Sequence, residues 1–176
     1  MKVAFSLASC ALLLAACAAT SEQQIPSAVA KLGAKGGSQV RGEIRFTQVG
    51  SRVRIEGEVT GLAPGPRGLH IHEKGDCSAA DASSAGGHFD AREPSNWSTR
   101  HGGPHTAERH SGDLGNIVFD KSGKAVVDMT VSGIAVDRGP IGILGRAAVV
   151  HFQADDLKTD PTGDAGARAA CGVIQR

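Results

Sequence analysis

From Ser38 onward the chain alternates with a period of two. Val40, Gly42, Ile44 and Phe46 interleave with Arg41, Glu43, Arg45 and Thr47. After a turn at Gln48-Val49-Gly50-Ser51, Val53, Ile55, Gly57 and Val59 interleave with Arg52, Arg54, Glu56 and Glu58. In an extended chain this puts every apolar residue on one face, so the pair predicts an antiparallel hairpin with one face turned into a core. Gly61–Gly68 is a Pro/Gly connection, and strand-like runs follow at Leu69–His72, Gly115–Phe119, Ala125–Val131, Ala147–Phe152 and Cys171–Ile174. No segment carries a sustained helical stripe. Several short strands with turn signals predict an all-β sandwich or barrel. Two long irregular stretches interrupt it, Glu73–Leu114 and Gln153–Ala170; loops of that length in a compact domain are functional or tied down.

Composition narrows the function. The length of 176 residues suits one domain with a tail. Five Phe, one Trp (Trp97) and no Tyr leave few platforms for base stacking. There is no basic stripe and no nucleotide-binding glycine fingerprint, so no nucleic-acid partner is expected. Gly is high at 24 residues, and the seven His all lie at or beyond His70. Gly-rich loops with clustered His suggest a loop-heavy β protein that carries metal.

The N-terminus reads as an export signal. Lys2 supplies a positive charge ahead of an apolar run, Val3–Ala16, that is too short for a permanent membrane span. Leu14-Ala15-Ala16-Cys17 resembles a bacterial lipobox, in which the cysteine is acylated and becomes the first mature residue; the alternative is plain cleavage after Ala19. The expected organisation is a leader over 1–16, a lipidated flexible tether over 17–37 and a folded domain over 38–176. Loss of Lys2 brings the formal charge from +1 to zero, which argues against a polyanionic partner. The expected location is the cell envelope, facing the periplasm, with membrane contact only through the lipid on Cys17. Cys10 leaves with the leader and Cys17 takes the lipid, so Cys77 and Cys171 remain. Two cysteines in an oxidising compartment most simply pair; the alternative is two buried thiols.

His70 and His72, two apart in a strand-like run, project from one face. Alone they are equally a pair of surface histidines. His151 follows Val149-Val150 on a distant run and completes a three-imidazole cluster if the strands meet; imidazoles suit copper and zinc. In the first long loop His88, His101, His110 and Asp113 make a full tetrahedral set for zinc. Their spacings of 13, 9 and 3 do not match finger-type ligand pairs, and Asp113 alone is equally a turn brace. His105 is expected to be solvent-exposed.

These residues stand in motifs that together resemble the copper/zinc superoxide dismutases. Gly68-Leu69-His70-Ile71-His72-Glu73-Lys74-Gly75-Asp76-Cys77 is similar to that family's copper-site signature. Gly86-Gly87-His88-Phe89, Arg100-His101-Gly102-Gly103-Pro104 and Arg109-His110-Ser111-Gly112-Asp113-Leu114-Gly115-Asn116 are similar to its zinc loop. Val149-Val150-His151 and Ala154-Asp155-Asp156 resemble its last copper strand, and Gly166–Ile174 its C-terminal signature. The likeness spans Ser38 to Arg176.

The resemblance implies an eight-stranded Greek-key β-sandwich or flattened barrel with two long functional loops. It implies one copper held by His70, His72, His88 and His151, and one zinc held by His88, His101, His110 and Asp113, with His88 bridging. Asp155 would brace one copper and one zinc histidine, and Arg168 would attract superoxide, the substrate disproportionated to dioxygen and hydrogen peroxide. Arg168 and His88 are the residues the resemblance makes catalytic. Three departures stand out: Phe152-Gln153 replaces the common Glu-Lys after the last copper histidine, and the other two concern loops. The stretch from His88 to His101, which includes Trp97, is longer than in eukaryotic-type members, and the loop Lys158–Ala167 is short and lacks their charged run. A non-catalytic metal binder on the same scaffold and a blue-copper carrier are the competing readings; the latter needs a cysteine thiolate on copper. The sequence leaves monomer and homodimer open.

Overall fold

The alternating stretch folds as the hairpin its pattern requires: β2 (Arg41–Val49) and β3 (Arg52–Thr60) pair from Arg41↔Thr60 to Val49↔Arg52. Gly50, at the turn between them, has φ +57°, the left-handed region that glycine adopts without steric cost. Val40, Ile44, Phe46, Val53, Ile55 and Val59 are buried, and the intervening charged residues face solvent. Gly57 has a backbone reason. A Cβ there would lie 2.1 Å from the Glu43 carbonyl oxygen, so only glycine lets the two strands approach this closely.

This computed structural model describes residues 24–92 and 100–176. The leader, Cys17 and Trp97 lie outside the described residues. Besides the hairpin the strands are β1 (Ser27–Ala34), β4 (Gly65–His72), β5 (Asp113–Phe119), β6 (Lys124–Ser132), β7 (Ala147–His151) and β8 (Arg168–Gln175). All pairings are antiparallel, in the order β5-β4-β7-β8-β1-β2-β3-β6. The two ends of that order, β5 and β6, are consecutive in the chain and lie against each other, so the sheet curls into a nearly closed barrel. The pairs β3–β6, β4–β7 and β8–β1 skip intervening strands, the Greek-key pattern expected. Among the described residues there is no α-helix, only one 3-10 turn at Ser83–Ala85.

Two expectations change. The stretch 17–37 is not all tether, because β1 lies within it and pairs with both β2 and β8. Its inward residues are Ala28, Ala30 and Leu32. Alanine has weak strand preference, so the alternation left little trace in the sequence. The folded domain therefore begins by Ser27. A third long connection, residues 133–146, joins β6 to β7 and buries Ile134, Val136 and Ile143 in the core.

The core is filled by Ile44, Phe46, Ile55, Leu69, Ile71, Leu114, Phe119 and Ile174, each worth about 1.5–3 kcal/mol when fully buried. On β4, Leu69 and Ile71 point into this core. Their neighbours His70 and His72 therefore point out of it, and they are buried by the loops.

Candidate metal centre

Strand pairing brings the candidate ligands together. His70 stands opposite Asp113 at the start of β5, and His72 makes an isolated bridge to His88 in the first long loop. His151 ends β7 opposite Arg168, at a register shift. A second shift falls between Gly68 and His70 on β4. Such irregularities re-aim side chains beside functional sites.

Three overlapping groups result, each with its ligand atoms within 4.8 Å of one another: His70, His72, His88, His151; His88, His101, His110, Asp113; and His70, His101, Asp155. In each ring one nitrogen is occupied by protein. His72 Nδ1 donates to the Gly86 carbonyl at 2.9 Å, and His151 Nδ1 to the Gly166 carbonyl at 3.0 Å. His70 Nε2 and His101 Nε2 donate to the two oxygens of Asp155, at 2.9 and 2.7 Å. The remaining nitrogens converge. His72 Nε2 and His151 Nε2 are 3.4 Å apart, His70 Nδ1 and His88 Nε2 are buried without a hydrogen-bond partner, and His101 Nδ1 lies 3.2 Å from Asp113 Oδ1. Orphaned buried nitrogens are costly unless something binds them. The donor set fits copper and zinc: imidazoles alone in the first group, three imidazoles and a carboxylate in the second.

His88 belongs to both groups. Its Nδ1 lies 2.7 Å from Asp113 Oδ1 and its Nε2 is free. Asp113 also takes His110 Nδ1 at 3.2 Å and the backbone amides of His110 (2.9 Å) and Gly102 (3.1 Å). Burial raises the Asp113 pKa, but the bonds from His101, His110 and His88 outweigh it and keep the carboxylate ionised. Burial holds His88 down to about 4 and His151 to about 3, so both rings are neutral and free to act as ligands.

Arg168 reaches the Ala82 carbonyl and, at 2.5 Å, the Gly86 carbonyl, the same oxygen that orients His72. Its charge contributes to holding down the pKa of both His72 and His151. Cys77 and Cys171 form the disulfide, so neither is a thiolate for a blue-copper site. His105 is exposed and belongs to none of the groups.

The structure adds residues that sequence reasoning passed over. Asn116 accepts the Asp155 N–H and donates to the Asp155 carbonyl, both at 2.8 Å, which fixes the carboxylate that braces two rings. The buried Arg109 donates to the carbonyls of His110, Ser111 and, on β6, Ser132. Asn116 and Arg109 stand inside the zinc-loop motif, the one signal that marked them.

Comparison with known proteins agrees with this geometry. Residues 40–174 match the family described as copper/zinc superoxide dismutase. The chain is 41% identical over 143 residues to the extracellular superoxide dismutase [Cu-Zn] of Caenorhabditis elegans, covering 78% of this chain and 62% of that protein. It is 42% identical over 137 residues to the superoxide dismutase [Cu-Zn] of Deinococcus radiodurans, covering 72% of this chain and 71% of that one. The crystal structure of the clock protein EA4 superposes with a TM-score of 0.76 at 43% identity, covering 86% of this chain and 94% of the other. The chain belongs to the copper/zinc superoxide dismutases, a family of oxidoreductases for which copper and zinc are the expected metals.

Proposed function

We propose that the protein disproportionates superoxide, two anions and two protons giving dioxygen and hydrogen peroxide. His70, His72, His88 and His151 hold copper, and His88, His101, His110 and Asp113 hold zinc. Copper supplies one-electron redox chemistry and zinc a fixed charge without redox. The observation that carries the reading is His88, the one ring with a nitrogen in each nest of ligand atoms.

The chain's own residues then divide the work. Arg168 holds a positive charge beside the copper nest and draws the superoxide anion to it. His88 Nε2, buried and without a hydrogen-bond partner, faces the copper nest and can hold a proton there and give it up to nascent peroxide. Asp155 fixes the tautomer of His70, so that its Nδ1 carries the lone pair turned inward, and holds the His101 ring by Nε2. The presence of Arg168 together with every copper-nest histidine favours the enzyme over a non-catalytic metal binder.

Protein loaded with both metals is expected to disproportionate superoxide; full metal content without activity refutes the enzyme reading. His88→Ala is expected to uncouple the metals, and an unchanged copper spectrum refutes the bridge. The disulfide and the extracellular relative support a place outside the cytoplasm, where the enzyme protects the cell envelope. Anchoring through lipidated Cys17 is tested by fractionating a Cys17→Ser variant. Retention of that variant in the membrane fraction refutes it.

A further inference from the structure

The two loop departures from the family pattern flank one hydrogen bond. His101 follows the lengthened first loop, and Asp160 stands in the shortened second loop, 59 residues away. The His101 backbone N–H donates to Asp160 Oδ1 at 2.6 Å. The ring of His101 is held from the same loop, by Asp155 Oδ1 at 2.7 Å. The loop is shaped to reach it. Asp156 Oδ1 takes the backbone amides of Lys158 and Thr159, and the Gly163 N–H donates to the Thr159 carbonyl, closing a tight turn around Asp160. At Gly163 (φ +65°) a Cβ would lie 2.4 Å from His101 Nε2 and 2.0 Å from Asp155 Oδ1, so the turn is pressed against the ring.

We propose that Asp160 is a positioning residue for the zinc nest: its carboxylate fixes the backbone of His101, so the lengthened loop before it does not carry the ligand out of place. Asp155 orients the ring and the Gly102 amide on Asp113 holds the peptide after His101, whereas the hydrogen bond to Asp160 holds the peptide before it. The inference rests on His101 being a zinc ligand.

The test is zinc binding to the full chain, measured by competition with a chromophoric chelator, with copper binding measured in parallel. Asp160→Ala is expected to weaken zinc about tenfold, as loss of an outer partner does, and to leave copper within about threefold. Asp160→Asn retains an acceptor oxygen and is expected to restore zinc affinity to within about threefold of the parent. Parent-like zinc binding by Asp160→Ala overturns the proposal, and so does an Asp160→Asn variant as weak as Asp160→Ala. Equal weakening of copper, or a metal-free Tm that drops in both variants along with zinc affinity, overturns it too, since the residue then holds the loop at large. His101→Ala separates the two readings. If it leaves zinc binding intact, the assignment of the nest fails and this inference with it. If it abolishes zinc binding while Asp160→Ala does not weaken it, only this inference fails.

Discussion

Substituting Asn for Asp155 is expected to weaken copper and spare zinc. The two carboxylate oxygens are not loaded equally: Oδ1 accepts from His101 Nε2 and from the Leu157 amide, both at 2.7 Å, whereas Oδ2 accepts only from His70 Nε2 at 2.9 Å. An amide has one oxygen. Placed at Oδ1 it keeps two bonds and turns its NH2 on His70; placed at Oδ2 it keeps one and strands the buried His101 ring and the Leu157 amide. An unpaired buried donor costs about 1–3 kcal/mol, so the first orientation is preferred by at most about that much. His70 then meets a donor instead of an acceptor. It must move its proton to Nδ1, the nitrogen that faces the copper nest. Loss of such an outer partner costs about 10- to 100-fold in metal affinity. Zinc is expected to stay within about threefold. Asp155→Ala removes both braces and weakens both metals. The lost negative charge acts on both metals, so the ratio of the two affinities, read by chelator competition with each metal in turn, carries the result. A variant Asp155→Asn that loses zinc before copper, or that matches Asp155→Ala, refutes the reasoning.

Removing the Cys77–Cys171 bridge, which closes a 94-residue separation, is expected to cost about 2–5 kcal/mol of stability. A Cys77→Ser/Cys171→Ser variant under chemical denaturation measures this, and a loss below about 1 kcal/mol contradicts it. Arg168→Ala is expected to slow disproportionation about tenfold or more and to flatten its dependence on ionic strength. Arg168→Lys restores the charge but not the fork on two carbonyls, so it recovers the salt dependence more than the rate; an unchanged salt slope in Arg168→Ala contradicts the steering role. In the metal-free protein, burial keeps His72 below the ordinary imidazole range, His88 at about 4 and His151 at about 3. The unfolded chain protonates these rings from about pH 6.5, so it binds more protons than the fold, and stability falls as pH drops from about 6.5 to 4. His101 runs the other way. Burial lowers its pKa, but bonds to Asp113 and Asp155 prevail and raise it to about 9. Its contribution is full below about pH 6.5 and is lost as pH rises through about 9. Tm of the metal-free protein is therefore expected to be highest near neutrality, and a Tm that climbs toward pH 4 contradicts this.

What the sequence made legible follows the periodicity of its elements. The β2–β3 hairpin was readable because large apolar and charged residues alternate for two full strands. His70 and His72 were readable as one face for the same reason, since a strand fixes where residue i+2 points. β1 escaped because alanines fill its inward positions beside a stretch that reads as linker. In the loops, spacing encodes nothing comparable. His88, His101 and His110 are placed by contacts from other segments, such as Asp155 and Asp160, so intervals of 13 and 9 residues carried no geometry until the motifs identified a family. The Gly86 and Gly166 carbonyls, which set the tautomers of His72 and His151, were out of reach for a simpler reason. Backbone oxygens have no sequence signature.

The partition of ring nitrogens explains how histidines of the first nest are packed so closely without charge. His70, His72 and His151 each give one N–H to a fixed oxygen, which holds the other nitrogen unprotonated and turned inward. Between these rings there is then lone-pair density that suits a cation. His88 and His110 break the pattern, because the one protein partner of each ring is Asp113, itself a member of the second nest. The N–H that His88 gives Asp113 at 2.7 Å is the one a cation bound there would replace, whereas the N–H groups facing Gly86, Gly166 and Asp155 would stay in place. Of the two, only His88 also belongs to the first nest, with Nε2 buried and without a hydrogen-bond partner, so it is the ring that could serve two cations. That double membership would make the centre a coupled pair and not two neighbouring sites.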